Sequence, residues 1–143
     1  MSYNVLTTGR CSIIGQDYFV TFARSGRQLV FKNFEAAVSL VRIIYYQLSM
    51  SLWAWVIMPD HVHMLLTLRD GSLSSSISKI KGSSSREINK GVSSFKWAKG
   101  YYDRALRKEE ERIAVARYII ANPLRAGVVK SLRHYPWCNT AFL

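Results

Sequence analysis

The sequence predicts one α/β domain, of the α+β kind, built on antiparallel strands. Three observations predict it. Tyr18 to Ala23 is aromatic and β-branched, as a strand requires. From Asn33 onward the apolar positions change to helical spacing. Leu52 to Met58 and His61 to Leu68 then follow as two further β-forming runs with only Pro59-Asp60 between them. A joint that short makes a tight hairpin or a bulged, bent strand, whereas parallel neighbours need a crossover of about a dozen residues.

Each element can be justified in turn. Arg24, Gly26 and Arg27 form the exit loop of the first strand. Asn33 is the expected N-cap of the first helix, with Ala36 or Ala37, Leu40, Ile43 or Ile44, and Leu48 recurring on one face. Gln47 to Met50 should close that helix. Asp70 to Gly91 is serine-rich, and Ile77, Ile80 and Ile88 keep a loose helical spacing. Gly82 weakens the run, so it is either one helix or two short pieces. Lys79, Lys81, Arg86 and Lys90 decorate it, as either a solvated face or one that tracks phosphates.

Phe95 to Arg104 alternates aromatic and basic residues: Lys96, Trp97, Lys99, Tyr101, Tyr102 and Arg104. Such rings stack on unpaired bases while the cations hold phosphates, or else the aromatics close a core; some of both is expected. Glu109 to Ala121 predicts a last long helix. Glu109, Glu110 and Glu111 suit the positive end of its macrodipole, and Ile113, Ala116 and Ile120 give its apolar stripe. Tyr118 and Asn122, four apart, project together before Pro123 ends the helix.

Composition narrows the function. The chain has 143 residues, 49% of them apolar, and a net charge of +11. That balance points to a polyanionic partner, most simply nucleic acid, although a basic ribosomal or membrane-surface protein would share it. Arg42 interrupts the longest apolar stretch, so no membrane span is expected, and the N-terminus lacks the apolar core of a signal peptide. Cys11 and Cys138 lie far apart with no metal-type spacing, which argues for free thiols in a reducing cytoplasm.

His61 and His63, with Val62 between them, sit inside a strand-like run and therefore point to one face. Two imidazoles on one face are two ligands of a metal site that lacks a third. They also serve as ordinary packing or solvent-facing residues in many strands.

Three motifs now stand in order: Trp55-Val56-Ile57-Met58-Pro59-Asp60-His61-Val62-His63; Trp97, Gly100 and Asp103; and Tyr118-Ile119-Ile120-Ala121-Asn122-Pro123 continuing to Ala126-Gly127. Together they resemble the single-tyrosine HUH transposases, and most closely the REP-associated tyrosine transposases. The likeness runs from about Tyr18 to Trp137. It implies a ferredoxin-like or RRM-like sandwich: a central antiparallel sheet with helices on one face and the catalytic helix near the C-terminus. It implies an enzyme that cuts and rejoins single-stranded or hairpin DNA, uses Mg2+ or Mn2+, and works as a monomer or a homodimer. His61 and His63 match the metal-binding pair, Tyr118 the nucleophile, and Asn122 the place of a third polar ligand. The DNA contacts are expected from Lys79, Lys81, Arg86, Lys96, Trp97, Lys99, Tyr101 and Arg104. Two positions depart from the pattern: Cys138 stands where serine is common, and Asp60 where asparagine or glutamate can occur.

The implied chemistry is attack by a tyrosine oxygen on a phosphodiester, giving a 5′-phosphotyrosine and a free 3′-hydroxyl. The bond energy is kept, so no ATP is needed, and the sequence has no nucleotide-binding glycine loop. A phenol ionises only near about pH 10, so a nearby cation is expected to favour the attacking oxygen; no general base is identifiable. Tyr101 and Tyr102 are rival nucleophiles. A non-cutting RRM-like binder would keep the charge and the rings but has no need for His61, His63 and Tyr118 together. A small-phosphoester hydrolase would explain the histidines and not the charge. Rolling-circle initiators and relaxases share the chemistry but usually carry more histidines, and here only His134 accompanies the pair.

Overall fold

The computed structural model describes residues 12–26, 29–91, 94–107, 111–131 and 135–141. Its elements run β1 (Asp17–Ala23), a 3-10 turn (Val30–Lys32), α1 (Phe34–Tyr45), β2 (Met50–Ile57), β3 (His61–Leu68), α2 (Leu73–Ile88), β4 (Tyr102–Ala105), α3 (Glu111–Ile120), α4 (Asn122–Arg125) and β5 (Cys138–Thr140). The five strands form one antiparallel sheet in the order β4-β1-β3-β2-β5. The Pro59-Asp60 joint is a hairpin, closed where Met58 N donates to His61 O at 2.8 Å.

The period-two pattern of the strands sorts their side chains onto two faces. Tyr18, Val20 and Phe22 of β1 and Val62, Met64, Leu66 and Leu68 of β3 bury one face under α1 and α2. Those helices contribute Ala36, Leu40, Ile44, Leu73, Ile77, Ile80 and Ile88. Each fully buried Leu or Ile contributes roughly 1.5–3 kcal/mol, which far exceeds the ~1 kcal/mol disfavour of Gly82. α2 is accordingly one continuous helix. Asn33 Oδ1 accepts from Ala36 N at 3.1 Å and Ser72 Oγ from Ser75 N at 3.0 Å, so both helices begin at capped ends. α1 stops at Tyr45, earlier than the spacing of Leu48 suggests, because Met50 already belongs to β2 and Leu48 is exposed.

The opposite face carries α3. Val115, Ala116 and Ile119 pack on Ala54, Val56 and Leu65, with Met58 and Leu106 alongside. This corrects the expected stripe: Ile113 is 44% exposed and Ile120 only half-buried. The rotation of the helix has a polar cause. Nε and Nη2 of Arg112 each lie 2.9 Å from Oδ2 of Asp17, which is buried at the start of β1. Thr67 donates to the other carboxylate oxygen, Trp53 Nε1 donates to Thr67 Oγ1 at 2.7 Å, and the Arg112 guanidinium stands 4.2 Å from the centre of the Trp53 ring. Arg112, Val115, Ala116 and Ile119 thus form the inward face at i, i+3, i+4 and i+7. Tyr118 is left at its edge.

At the far edge of the sheet, β5 holds to β2 through Ile57 N donating to Trp137 O at 2.8 Å and the Tyr135 hydroxyl donating to Ile57 O. Cys138 is half-buried there, and burial pushes its thiol pKa up. Cys11, His134, Glu109 and Glu110 lie outside the described residues. Among the described residues no helix is long and apolar enough to cross a membrane.

Candidate active site

Directly paired residues of an antiparallel ladder share a face. Thr21 pairs with His63 on one side and with Tyr102 on the other, and Phe19 pairs with Arg104. His61, His63, Thr21, Phe19, Tyr102 and Arg104 therefore stand on the face that α3 covers only in part.

The two imidazole rings meet edge to face, with centroids 4.8 Å apart. Each is held at Nδ1. His61 Nδ1 lies 2.7 Å from Asp60 Oδ1, and because a carboxylate only accepts, Nδ1 carries a proton and Nε2 is the nitrogen that could ligate. His63 Nδ1 lies 2.7 Å from the Thr21 hydroxyl, so Nε2 is the nitrogen that could ligate. A metal-binding histidine anchored through its other nitrogen is the usual arrangement, so the pair fits a divalent ion. His63 is kept neutral. Burial, then the charges of His61 and Arg125, push its pKa down from 6.5 to about 4. Among the described residues no third His, Cys, Asp or Glu completes a cluster. Asn122 is half-buried at the first residue of α4, just past the end of α3.

A row of rings connects the histidines to the C-terminal helices. His63 lies 5.5 Å from Phe19, and Phe19 lies 6.0 Å from Tyr118, centroid to centroid. Tyr118 is 53% exposed. Over its ring, at 4.0 Å, stands the guanidinium of Arg125, which also donates from Nη2 to Tyr118 O at 2.8 Å. Recesses open at both ends of the row. One of about 390 Å³ is lined by Phe19, Arg104, Ala114, Val115 and Tyr118. The other, about 450 Å³, lies between Lys32, Pro59 and His61 on one side and Ala126 to Val128 on the other.

The residues expected to hold DNA divide into three groups. Arg104 is exposed beside Tyr118 and reaches Glu111 at 3.3 Å. Lys79 and Arg86 are exposed on α2, which covers the face away from the histidines, and Lys96 and Lys99 are exposed in the segment before β4. Three of the expected contacts are corrected. Tyr101 is 4% exposed, its hydroxyl 2.8 Å from that of Ser74, so it neither stacks on a base nor attacks a phosphate. Trp97 packs among Phe22, Phe31 and Phe95, and its Nε1 donates to Ser84 Oγ at 2.9 Å. Lys81 is half-buried and donates to the carbonyls of Ala98 and Gly100; burial lowers its pKa. The ring that does face the site is Tyr102, 47% exposed, which remains a rival to Tyr118. Sequence reasoning missed Thr21, Phe19 and Arg125. The alternation of β1 against β3 could have found the first two, since both sit at odd positions with Asp17.

Comparison with known proteins bears on the family and the fold. The family model for IS200-like transposases matches residues 15–122. The REP-associated tyrosine transposase of Escherichia coli K12 is 30% identical over 90 residues, covering 59% of this chain and 50% of that protein. The chain thus spans about half the length of the curated relative it matches. The solved structure of a REP-associated tyrosine transposase bound to a REP hairpin superposes with a TM-score of 0.75 at 24% identity, covering 96% of this chain and 82% of the other. A Deinococcus radiodurans R1 protein provisionally named a transposase gives a TM-score of 0.55 at 24% identity, over 79% and 95% of the two chains. The sandwich of an antiparallel sheet and helices is the one these structures share. With the family model matching from before β1 to the start of α4, the chain belongs to the IS200-like transposase family.

Proposed function

We propose that this chain cuts and rejoins single-stranded DNA through a covalent bond to Tyr118. The observation that carries the reading is the row His61, His63, Phe19, Tyr118 on one sheet face, with an exposed phenol at one end and two anchored imidazoles at the other. In the step, the Tyr118 oxygen forms a bond to phosphorus and the bond from phosphorus to the 3′-oxygen breaks. The phenolic proton is lost and the departing oxygen gains one, leaving a 5′-phosphotyrosine and a 3′-hydroxyl. The reverse step rejoins the strand.

His61 and His63 would hold a divalent ion, Mg2+ or Mn2+, through their Nε2 atoms, with Asn122 as the third protein ligand. Such an ion, when bound, polarises the scissile phosphate as a Lewis acid. Asp60 and Thr21 engage the two rings at Nδ1, which would leave the Nε2 atoms for the ion. The strand would cross between the two recesses, past Phe19 and Arg104, and the +11 charge would draw it there. The hairpin bound by the solved relative makes hairpin-bearing DNA the substrate class to test first.

The test is to incubate the protein with Mn2+ and a library of hairpin-bearing single-stranded oligonucleotides, then run a denaturing gel. A covalent adduct that maps to Tyr118 and disappears in Tyr118→Phe, with DNA affinity kept, supports the reading. Binding without any adduct would make the chain a single-strand binder, and an adduct on Tyr102 would move the nucleophile.

A further inference from the structure

We infer that Arg125 binds one non-bridging oxygen of the scissile phosphate and stabilises the negative charge that builds on it during attack. The inference rests on Tyr118 being the nucleophile. It begins with the backbone. Pro123 has no N–H to continue the helical ladder, and α3 gives way at Ala121 to the single turn of α4. Gly127, at φ 72, ends that turn, and Val128 N donates to Pro123 O at 2.9 Å. The turn carries Arg125 on the same side as Tyr118, seven residues earlier, and the long side chain reaches back over the ring.

Two contacts fix the guanidinium there: the ring face at 4.0 Å and the Tyr118 carbonyl at 2.8 Å. The carbonyl takes only part of the donor fork, which leaves N–H groups free to meet a phosphate oxygen. The other arginines near the site are committed elsewhere. Arg112 is paired with Asp17 and Arg104 with Glu111, whereas no carboxylate among the described residues pairs with Arg125. A phosphate lying between Tyr118 and the histidines would therefore meet a cation already in place. Preorganised donors of this kind, aimed where charge develops, typically account for roughly 10²–10³-fold in rate.

Arg125 could instead do no more than pack α4 against Tyr118, and the experiment separates the two roles. The sequence cleaved by the wild-type chain with Mn2+ is resynthesised with each methylphosphonate diastereomer at the scissile position, which replaces one charged oxygen by a methyl group. On the ordinary phosphodiester, Arg125→Ala and Arg125→Gln should slow adduct formation about 10²-fold or more, with Arg125→Lys between them and wild type. On one diastereomer the variants and wild type should react at equal rates, because the oxygen that Arg125 serves is gone. Unchanged rates on the phosphodiester, or the same fold-loss on both methylphosphonates, would overturn the role. If the wild-type chain itself forms no adduct, both this inference and the assignment of Tyr118 fall; an adduct in wild type with unaffected Arg125 variants removes this inference alone.

Discussion

The Thr21 hydroxyl lies 2.7 Å from Nδ1 of His63, directly across the β1–β3 ladder. One strand thus orients the ring that the next strand supplies. Thr21→Val keeps the shape and β propensity of the side chain and removes only this partner. Manganese affinity should fall about 10–100-fold, measured by isothermal titration, with the far-ultraviolet dichroism unchanged. Unaltered affinity would mean that the ring is held by packing against Phe19 alone.

The pair Arg112–Asp17 is the polar anchor of α3. Removing one partner leaves a buried charge uncompensated, so Asp17→Ala should lower unfolding stability by about 3 kcal/mol in urea. Asp17→Asn, which keeps acceptor capacity for Thr67, should cost less. A loss below about 1 kcal/mol for the alanine variant would show that the apolar face of Val115, Ala116 and Ile119 sets the helix position unaided.

His63 has a folded-state pKa near 4 against an ordinary 6.5. The folded pKa is depressed, so between these values the unfolded chain takes up a proton that the folded chain does not. Stability should therefore fall as pH falls through that window and level off below about pH 4, by an amount on the order of 3 kcal/mol in metal-free protein. His63→Gln should remove most of this slope in urea titrations from pH 7 to 4. A slope that survives the substitution would assign it to other groups.

Tyr101, just before β4, and Tyr102, its first residue, should behave oppositely. Tyr101→Phe removes the hydroxyl contact to Ser74 and should cost on the order of 1 kcal/mol in stability while leaving DNA affinity alone. Tyr102→Ala should weaken binding of single-stranded DNA by about 1–3 kcal/mol if it stacks on a base, read by fluorescence anisotropy. Equal effects of the two on DNA binding would contradict the register of β4 against β1.

Some features of this protein follow from the sequence alone. The Pro59-Asp60 joint is too short for anything but antiparallel neighbours, and Val62 between two histidines fixes both rings on one side, because strand periodicity is local. Asn33 and Ser72 cap helices through side chains three residues from their partners. Motif order likewise carried the family. Tertiary structure alone decided the rest. Whether Tyr101 or Tyr102 faces the site depends on how β4 registers on β1, and that is set by pairing across about eighty residues of chain rather than by the Tyr-Tyr step itself. The inward face of α3 was chosen by Asp17, far away in sequence, which drew in Arg112 and displaced Ile113 toward solvent. Arg125 reads as one more basic residue until the break at Pro123 folds it over Tyr118. Local periodicity is written in neighbouring residues; rotation, register and the meeting of distant side chains come from competition among long-range contacts, which no window of sequence contains.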